Sequence, residues 1–332
     1  MTGPLSLVTG GTGFVGAAVV RELLAHGHRV RALVRPDSDR RNLAGLDVVL
    51  CEGRLEDRPS LERAIAGVDA LFHVAADYRL WAPDPTAMMA ANVDGTVAIM
   101  EAALAAGTPR IVHTSSIAVL GHPADGSPGD EDTPVALADM IGPYKRSKFL
   151  AEAAVSAMVR ERGLPAVIVN PAAPVGPRDI KPTPTGRMVL DAARGRLPAY
   201  VRSGLNIVHV EDVAIGHRLA FERGEIGQRH VLGAENLSLG AVIGMAARLG
   251  GRRPPAIRLP IAPLWPLAIL AEAGARLLGA TPPLTRDLLR MARQPMHFSH
   301  AKATARLGYR PRPAIEGLAD AVAWFRANGY MR

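Results

Sequence analysis

The 332-residue sequence contains a single cysteine, Cys51. An internal disulfide is therefore impossible and a cysteine-based metal cluster is excluded, which fits a reducing cytoplasm and leaves no metal site to expect. Aromatic residues make up only 4%, and lysine occurs four times against thirty-five arginines. The formal charge of +8 admits an anionic ligand. No block of like charge and no basic-aromatic stripe accompanies it, so a nucleic-acid surface is not expected. The amino terminus, "MTGPLSLVTGG", has no basic segment leading into a long apolar one and reads as lacking a signal peptide. The longest apolar run, "PIAPLWPLAILAEAGARLLGA" from Pro260, is interrupted by Pro263, Pro266, Glu272 and Arg276. It falls short of the ~20 apolar residues of a membrane span and has no dense Lys/Arg rim, so an ordinary domain helix is expected there and membrane contact is not.

What is present is an alternation of two periods. Strand patterns lie near 5–9, 29–34, 47–51, 69–75, 110–115 and 165–170, and helical spacing near 14–26, 59–67, 86–106 and 144–162. Strands alternating with helices imply an α/β chain, a doubly wound parallel sheet of Rossmann type covered on both faces. The second half carries Pro-rich segments at 171–184 and 252–266, separated helices and few good strands, which reads as a smaller, mostly helical region. The expected division assigns 1–170 and 206–233 to dinucleotide binding and 171–205 and 234–332 to the substrate.

"VTGGTGFVG" places Gly10, Gly13 and Gly16 between the first strand and the first helix. In that context Gly10 permits the tight turn, Gly13 lets the backbone approach a pyrophosphate, and Gly16 allows helix to pack closely on strand. The tip of the second strand reads "RALVRPDSDRR", with Arg35 about twenty residues beyond the turn and no acid at the tip. Bidentate arginine contacts suit a 2'-phosphate, which favours NADP; Asp37 and Asp39 keep NAD open.

Two of the four lysines sit in "GPYKRSKFLAE" at 142–152. Tyr144 and Lys148 are one helical turn apart and share a face, whereas Lys145 points elsewhere. An ammonium beside a phenol favours the phenolate, a task for which a delocalised guanidinium is poorer. A solvated helix turn is the plainer reading of a Y-x-x-x-K spacing alone.

With the glycine turn, "HTSSIAVLG" at 113–121 and "YKRSK" at 144–148 in this order, the chain resembles the extended short-chain dehydrogenase/reductases, a group containing NAD-dependent epimerases and dehydratases and dihydroflavonol reductases. "FHVAA" at 72–76, "ANVDGT" at 91–96, "VHVEDVA" at 208–214 and "KATARLGYRP" at 302–311 extend the likeness over nearly the whole length. "ADYRLWAPDP" and "GPRDIKPTPTG" are similar to sugar epimerases associated with hopanoid biosynthesis. The resemblance implies that Tyr144 is the general acid or base, that Lys148 lowers its pKa and holds the nicotinamide ribose, and that Ser116, with Ser115 as rival, binds the substrate oxygen. It further implies that Phe14, Val15, Ala75 and Ala76 line the cofactor and that Pro171 to Val175 pass near the nicotinamide. Asn92 would be a proton-relay or helix-bend residue, and His73 and His113 structural. A homodimer through 86–106 and 144–162 is a family-level expectation.

Three departures bear on function. Arg54 stands where the family commonly has an adenine-binding Asp, and it could stack on the ring instead. Ile117-Ala118-Val119 occupies the place of a dehydratase's Asp-Glu pair, leaving no acid and base for eliminating water. Leu205 aligns with the arginine by which many epimerases hold a substrate diphosphate. Tyr78, Trp81, Arg178 and Lys181 are the substrate-side candidates, on loops expected over the carboxyl ends of the strands. The reading is an NADP-preferring enzyme interconverting a carbonyl and a secondary alcohol. A sugar epimerase with retained NAD(P) and a noncatalytic cofactor-binding protein are the alternatives.

Overall fold

Residues 3–331 are described by a computed structural model. The first half runs β1 (Leu5–Thr9), α1 (Phe14–Ala25), β2 (Arg29–Val34), β3 (Val48–Glu52), α2 (Arg58–Ile65), β4 (Ala70–His73), α3 (Thr86–Met89), α4 (Gly95–Ala105), β5 (Ile111–Thr114), α5 (Gly142–Arg162) and β6 (Ala166–Pro171). The second half runs β7 (Ala173–Val175), α6 (Pro184–Ala193), β8 (Ala199–Val201), β9 (Gly204–His209), α7 (Val210–Arg223), β10 (Arg229–Leu232), β11 (Glu235–Ser238), α8 (Leu239–Leu249), β12 (Ile257–Leu259), α9 (Leu264–Leu278), α10 (Arg286–Ala292), α11 (Ala301–Leu307) and α12 (Ala314–Ala327).

Seven strands form one parallel sheet in the order β3-β2-β1-β4-β5-β6-β10. Alternate residues build separate cores on its two faces. Val8, Phe72, Val112 and Val167 belong to one, while Leu7, Leu71, Ile111 and Ile168 belong to the other. Helices α1 and α7 pack together on the first side, and α4 packs with α2 and α5 on the second. Burial on both faces is what turns strands without clean polar alternation into a doubly wound sheet, a Rossmann-type α/β fold. Strand order reverses between β1 and β4, so the crevice for a ligand opens above their carboxyl ends.

The expected helix at 86–106 is interrupted. A π turn at Ala90–Asp94 separates α3 from α4, although 86–105 as a whole is long and apolar enough to span a membrane by composition alone. Met88, Ile99, Met100 and Ala103 bury it in the core instead. Strand β4 ends at His73, two residues short of the sequence expectation, because the amides of Val74 and Ala75 turn to the Thr9 hydroxyl at 3.2 Å each.

The carboxyl-terminal region is largely helical, with more strand than its sequence suggests. The antiparallel pair β11-β9 and its parallel neighbour β7 form one small sheet, and β12 pairs with β8 in another. Strand β9, whose residues 206–209 fall in the expected nucleotide-binding part, lies in the small sheet, whereas α7 and β10 join the large one. The "VHVEDVA" stretch acts as a fastener. Asp212, buried at the start of α7, accepts bonds from the Arg312 backbone amide at 2.8 Å and guanidinium at 2.9 Å, and His209 bonds Asp320 on α12 at 3.1 Å.

The apolar stretch near 260–280 departs most from expectation. It forms α9, but only Ala268, Glu272 and Ala275 are buried, so the helix is not packed as an ordinary domain helix.

Candidate active site

Gly10 adopts φ +70°, and a Cβ there would come within 2.8 Å of the Ala75 backbone, so the glycine turn and the segment after β4 approach as only glycine allows. A Cβ on Gly16 would lie 2.1 Å from the Gly10 carbonyl oxygen, which fixes α1 against β1. Gly13 is exposed and precedes α1 without a side-chain cap. The first-turn amides of Phe14 and Val15 have no intrahelical acceptor, and a bare, glycine-lined helix amino terminus fits a dinucleotide pyrophosphate.

Behind this turn a buried polar relay fixes the loop that carries Ala75 and Ala76. The Thr96 hydroxyl donates to the Asn92 carbonyl at 2.7 Å and accepts from His73 Nε2 at 3.0 Å. That assigns the proton to Nε2, so His73 Nδ1 accepts from Thr9 at 2.8 Å. Burial holds the His73 pKa down at about 3, which suits a structural residue rather than a base. His113 stacks on it with centroids 5.5 Å apart and is also neutral by burial. Asn92 sits in the π turn. Its amide nitrogen donates to Asp77 O at 2.8 Å and Ser147 Oγ at 2.9 Å, and its oxygen accepts from Asp77 N at 2.7 Å. It thus ties the loop after β4 to the helix turn between Tyr144 and Lys148.

Tyr144 and Lys148 lie on α5, one turn apart, and Ser116 follows β5. The Ser116 hydroxyl lies close enough to the Tyr144 phenol to pull its pKa down, and Ser116 Oγ accepts from Ala118 N at 3.1 Å. Ser115 is buried with its hydroxyl unpaired, so the rival serine faces the interior. Lys148 is buried, and its ammonium donates to the Thr114 carbonyl at 2.7 Å. Burial lowers its pKa to about 8, against the pull of Glu152 one turn later. The phenol differs from the sequence expectation: its pKa is raised, by burial, with the Ser116 hydroxyl opposing. The ammonium is directed at Thr114 rather than at the phenol, which leaves Tyr144 protonated. Lys145 does point elsewhere, yet it too is buried. Its ammonium lies 3.6 Å from Met296 Sδ, and desolvation lowers its pKa to about 8.

At the tip of β2, Arg35 is exposed and 4.0 Å from Asp37 Oδ1, which also accepts from Arg54 Nη2 at 3.2 Å. Two guanidiniums thus flank one carboxylate at the edge of the crevice. Arg41 is held by Asp39, and Arg40 by Glu52. The Arg41 bonds, with a smaller contribution from the charge of Lys181, hold the Asp39 carboxyl down at about 2. Arg178, at φ +71°, pairs with Glu211 at 3.9 Å. Pro171 closes β6 beside Leu232 of β10. Val175, expected near the nicotinamide, is 1% exposed and packs with α6, α8 and α12, so its side chain has no surface for a ligand.

Trp81 lies under the Arg276 guanidinium of α9, 5.8 Å from ring centroid to Cζ. The two line a cleft of about 260 Å³ together with Pro143, the residue before Tyr144. Tyr78 is exposed, and its phenol is raised by burial of its ring and by the nearby charge of Asp179. Sequence reading passed over Asp179. It is buried, its Oδ2 accepts from Thr183 N and Oγ1 at 2.9 Å each, its Oδ1 is unpaired, and burial raises its pKa to about 6. A carboxylate inside "GPRDIKP" gives no periodic signal of such burial.

Comparison with known proteins places these features in a family. Residues 6–233 match the sequence pattern of the NAD dependent epimerase/dehydratase family. A Synechocystis sp. protein, named provisionally as a dihydroflavonol 4-reductase, is 42% identical over 98% of this chain and 95% of its own length. Sterol demethylase protein B of Methylococcus capsulatus is 35% identical over 98% of this chain and 99% of its own. The crystal structure of gox2253 superposes with a TM-score of 0.90 at 54% identity, over 99% of this chain and 100% of that one. The chain belongs to the NAD dependent epimerase/dehydratase family, whose members are NAD(P)-dependent enzymes.

Proposed function

We propose that this protein is an NADP-preferring reductase of an apolar carbonyl compound, in which Tyr144 donates a proton to the substrate oxygen, Ser116 holds that oxygen and Lys148 holds the nicotinamide ribose. The observation that carries the reading is geometric: Tyr144 and Lys148 lie one turn apart on α5, the Lys148 ammonium is fixed on the Thr114 carbonyl two residues before Ser116, and the Tyr144 phenol, protonated at neutral pH, lies beside Ser116, as carbonyl reduction requires of its proton donor. The dinucleotide, when bound, supplies the hydride. The chain's own residues orient the carbonyl, exclude water and deliver the proton.

Apolar surroundings favour such a substrate over a nucleotide sugar. Ile117, Ala118 and Val119 follow the serine without an acid or base, and Leu205 pairs into the small sheet where a diphosphate-binding arginine would stand. Relatives named for dihydroflavonol and sterol chemistry point the same way. The test is to supply the purified protein with NADPH and a panel of ring and long-chain ketones. Stoichiometric NADPH oxidation with alcohol formed is expected. Cofactor that stays bound without net consumption, together with isotope exchange at a sugar carbon, would establish an epimerase and overturn the reductase reading.

The cofactor preference rests on Arg35 and Arg54 flanking Asp37. A 2'-phosphate placed there could displace the carboxylate and take charge-assisted bonds from both guanidiniums. Arg35→Ala should weaken NADPH at least about tenfold and NADH no more than about threefold, the difference expected from one lost charged hydrogen bond. Titration of both nucleotides by protein fluorescence reads this directly; equal losses would remove the phosphate argument.

A further inference from the structure

We propose that the outer face of α9, with the arginines around it, docks this protein on the surface of an anionic lipid bilayer. The helix is built inside out. Its buried positions are Ala268, Glu272 and Ala275, which fall within a narrow arc at about 100° per residue. Leu267, Leu270, Leu277 and Leu278 fall within a second arc about 100° wide on the opposite side. Leu270 is 69% exposed, Leu277 87% and Leu278 82%. Seven of the twelve exposed large apolar side chains among the described residues lie between Ile257 and Leu278. Such concentration marks an interaction surface, since single exposed leucines are ordinary and clusters are not.

Charge identifies the partner. Residues 251–293 hold seven arginines and two carboxylates, and so +5 of the chain's formal +8. Both carboxylates are already engaged: Glu272 is buried against Arg286 at 2.9 Å, and Asp287 pairs with Arg290 at 3.1 Å. Beside the amino end of α9 a cleft of about 600 Å³ is lined by Arg202, Arg258 and Arg293, with Leu259, Pro260 and Ile261 between them. Among the described residues none of these three arginines is ion-paired; Arg293 stacks on Trp265 at 5.5 Å. An apolar stripe next to unpaired arginines matches an anionic headgroup layer over hydrocarbon. A second copy docked through the same face would bring the arginine surplus against itself. The same helix also overlies Trp81 through Arg276, so docking would direct the cleft that includes Pro143 toward the bilayer.

Co-sedimentation of the full chain with vesicles of phosphatidylcholine, with and without phosphatidylglycerol, tests the proposal. Binding is expected on the anionic vesicles and should fall as salt rises. Leu270→Gln/Leu277→Gln/Leu278→Gln should weaken it at least about tenfold, with circular dichroism and nucleotide binding unchanged. Arg258→Gln/Arg293→Gln should abolish the preference for phosphatidylglycerol. The proposal fails if the wild type stays in the supernatant with both vesicles, binds both equally, or sediments like the triple leucine variant. It fails equally if sedimentation velocity without lipid finds a dimer that the triple variant dissolves, which would assign the face to a second copy.

Discussion

Replacing Tyr144 with phenylalanine is expected to lower carbonyl turnover by at least about 10²-fold while leaving NADPH binding within about threefold of wild type. The substitution removes one oxygen. Its neighbour is the Ser116 hydroxyl, which keeps its bond from Ala118 N, so the loop after β5 retains its shape. The backbone carbonyl of Tyr144 still accepts from Ser147 Oγ at 2.9 Å, and Ser147 still accepts from Asn92, so the anchoring of α5 to the loop after β4 is untouched. A loss confined to turnover therefore reports proton delivery rather than misfolding. Single-turnover rates with pre-bound NADPH separate the two, and an unchanged rate would dismiss Tyr144 as proton donor. A Ser116→Ala variant should fall less, since a backbone-anchored phenol can still reach the oxygen.

How far this was legible in the sequence differs from one element to the next. The sheet was readable because Leu7-Val8 and Leu71-Phe72 each supply both of its faces, and strands of that kind between helical repeats have few other solutions. The glycine turn was readable for a similar reason, since Gly10 and Gly16 mark backbone approaches that exclude any Cβ. β7, β8 and β12 were not, because three residues such as "APV" carry no period and take strand form only against a partner. The site shows the same split. Helical spacing put Tyr144 and Lys148 on one face, but what each side chain touches depends on residues distant in sequence. Thr114 takes the Lys148 ammonium, and Met296 takes that of Lys145. α9 misleads for a different reason: its large side chains face out, so an amphipathic reading assigns the wrong side to the core.

Lys148→Met should give a protein that is more stable and nearly inactive. Lys148 is 3% exposed, and burial lowers its pKa from 10.5 to about 8. That gap corresponds to roughly 3 kcal/mol charged against the folded state at neutral pH. The sign follows from proton counts. Below pH 8 both states hold the proton and the folded protein bears the full cost; between about 8 and 10.5 the unfolded chain binds more protons, so stability rises with pH. Methionine keeps the length and removes the charge, at the expense of the Thr114 carbonyl's donor, which offsets about 1 kcal/mol. The variant should therefore gain about 1–2 kcal/mol at pH 7, a rise of several degrees in Tm, and that gain should disappear near pH 10. Turnover should fall by at least about 10²-fold, because the group proposed to hold the nicotinamide ribose is gone. Wild-type reduction should itself decline as pH rises through about 8, where the ammonium loses its proton. Thermal melts of both proteins from pH 6 to pH 10 decide the matter. A variant less stable at pH 7, or a difference that ignores pH, would mean that the buried charge carries no such cost. Arginine is a poorer substitute here, since its delocalised planar fork is a weaker point charge than a compact ammonium. A chain with thirty-five arginines thus keeps lysine at two buried positions of this helix, 145 and 148, where burial lowers each ammonium's pKa to about 8.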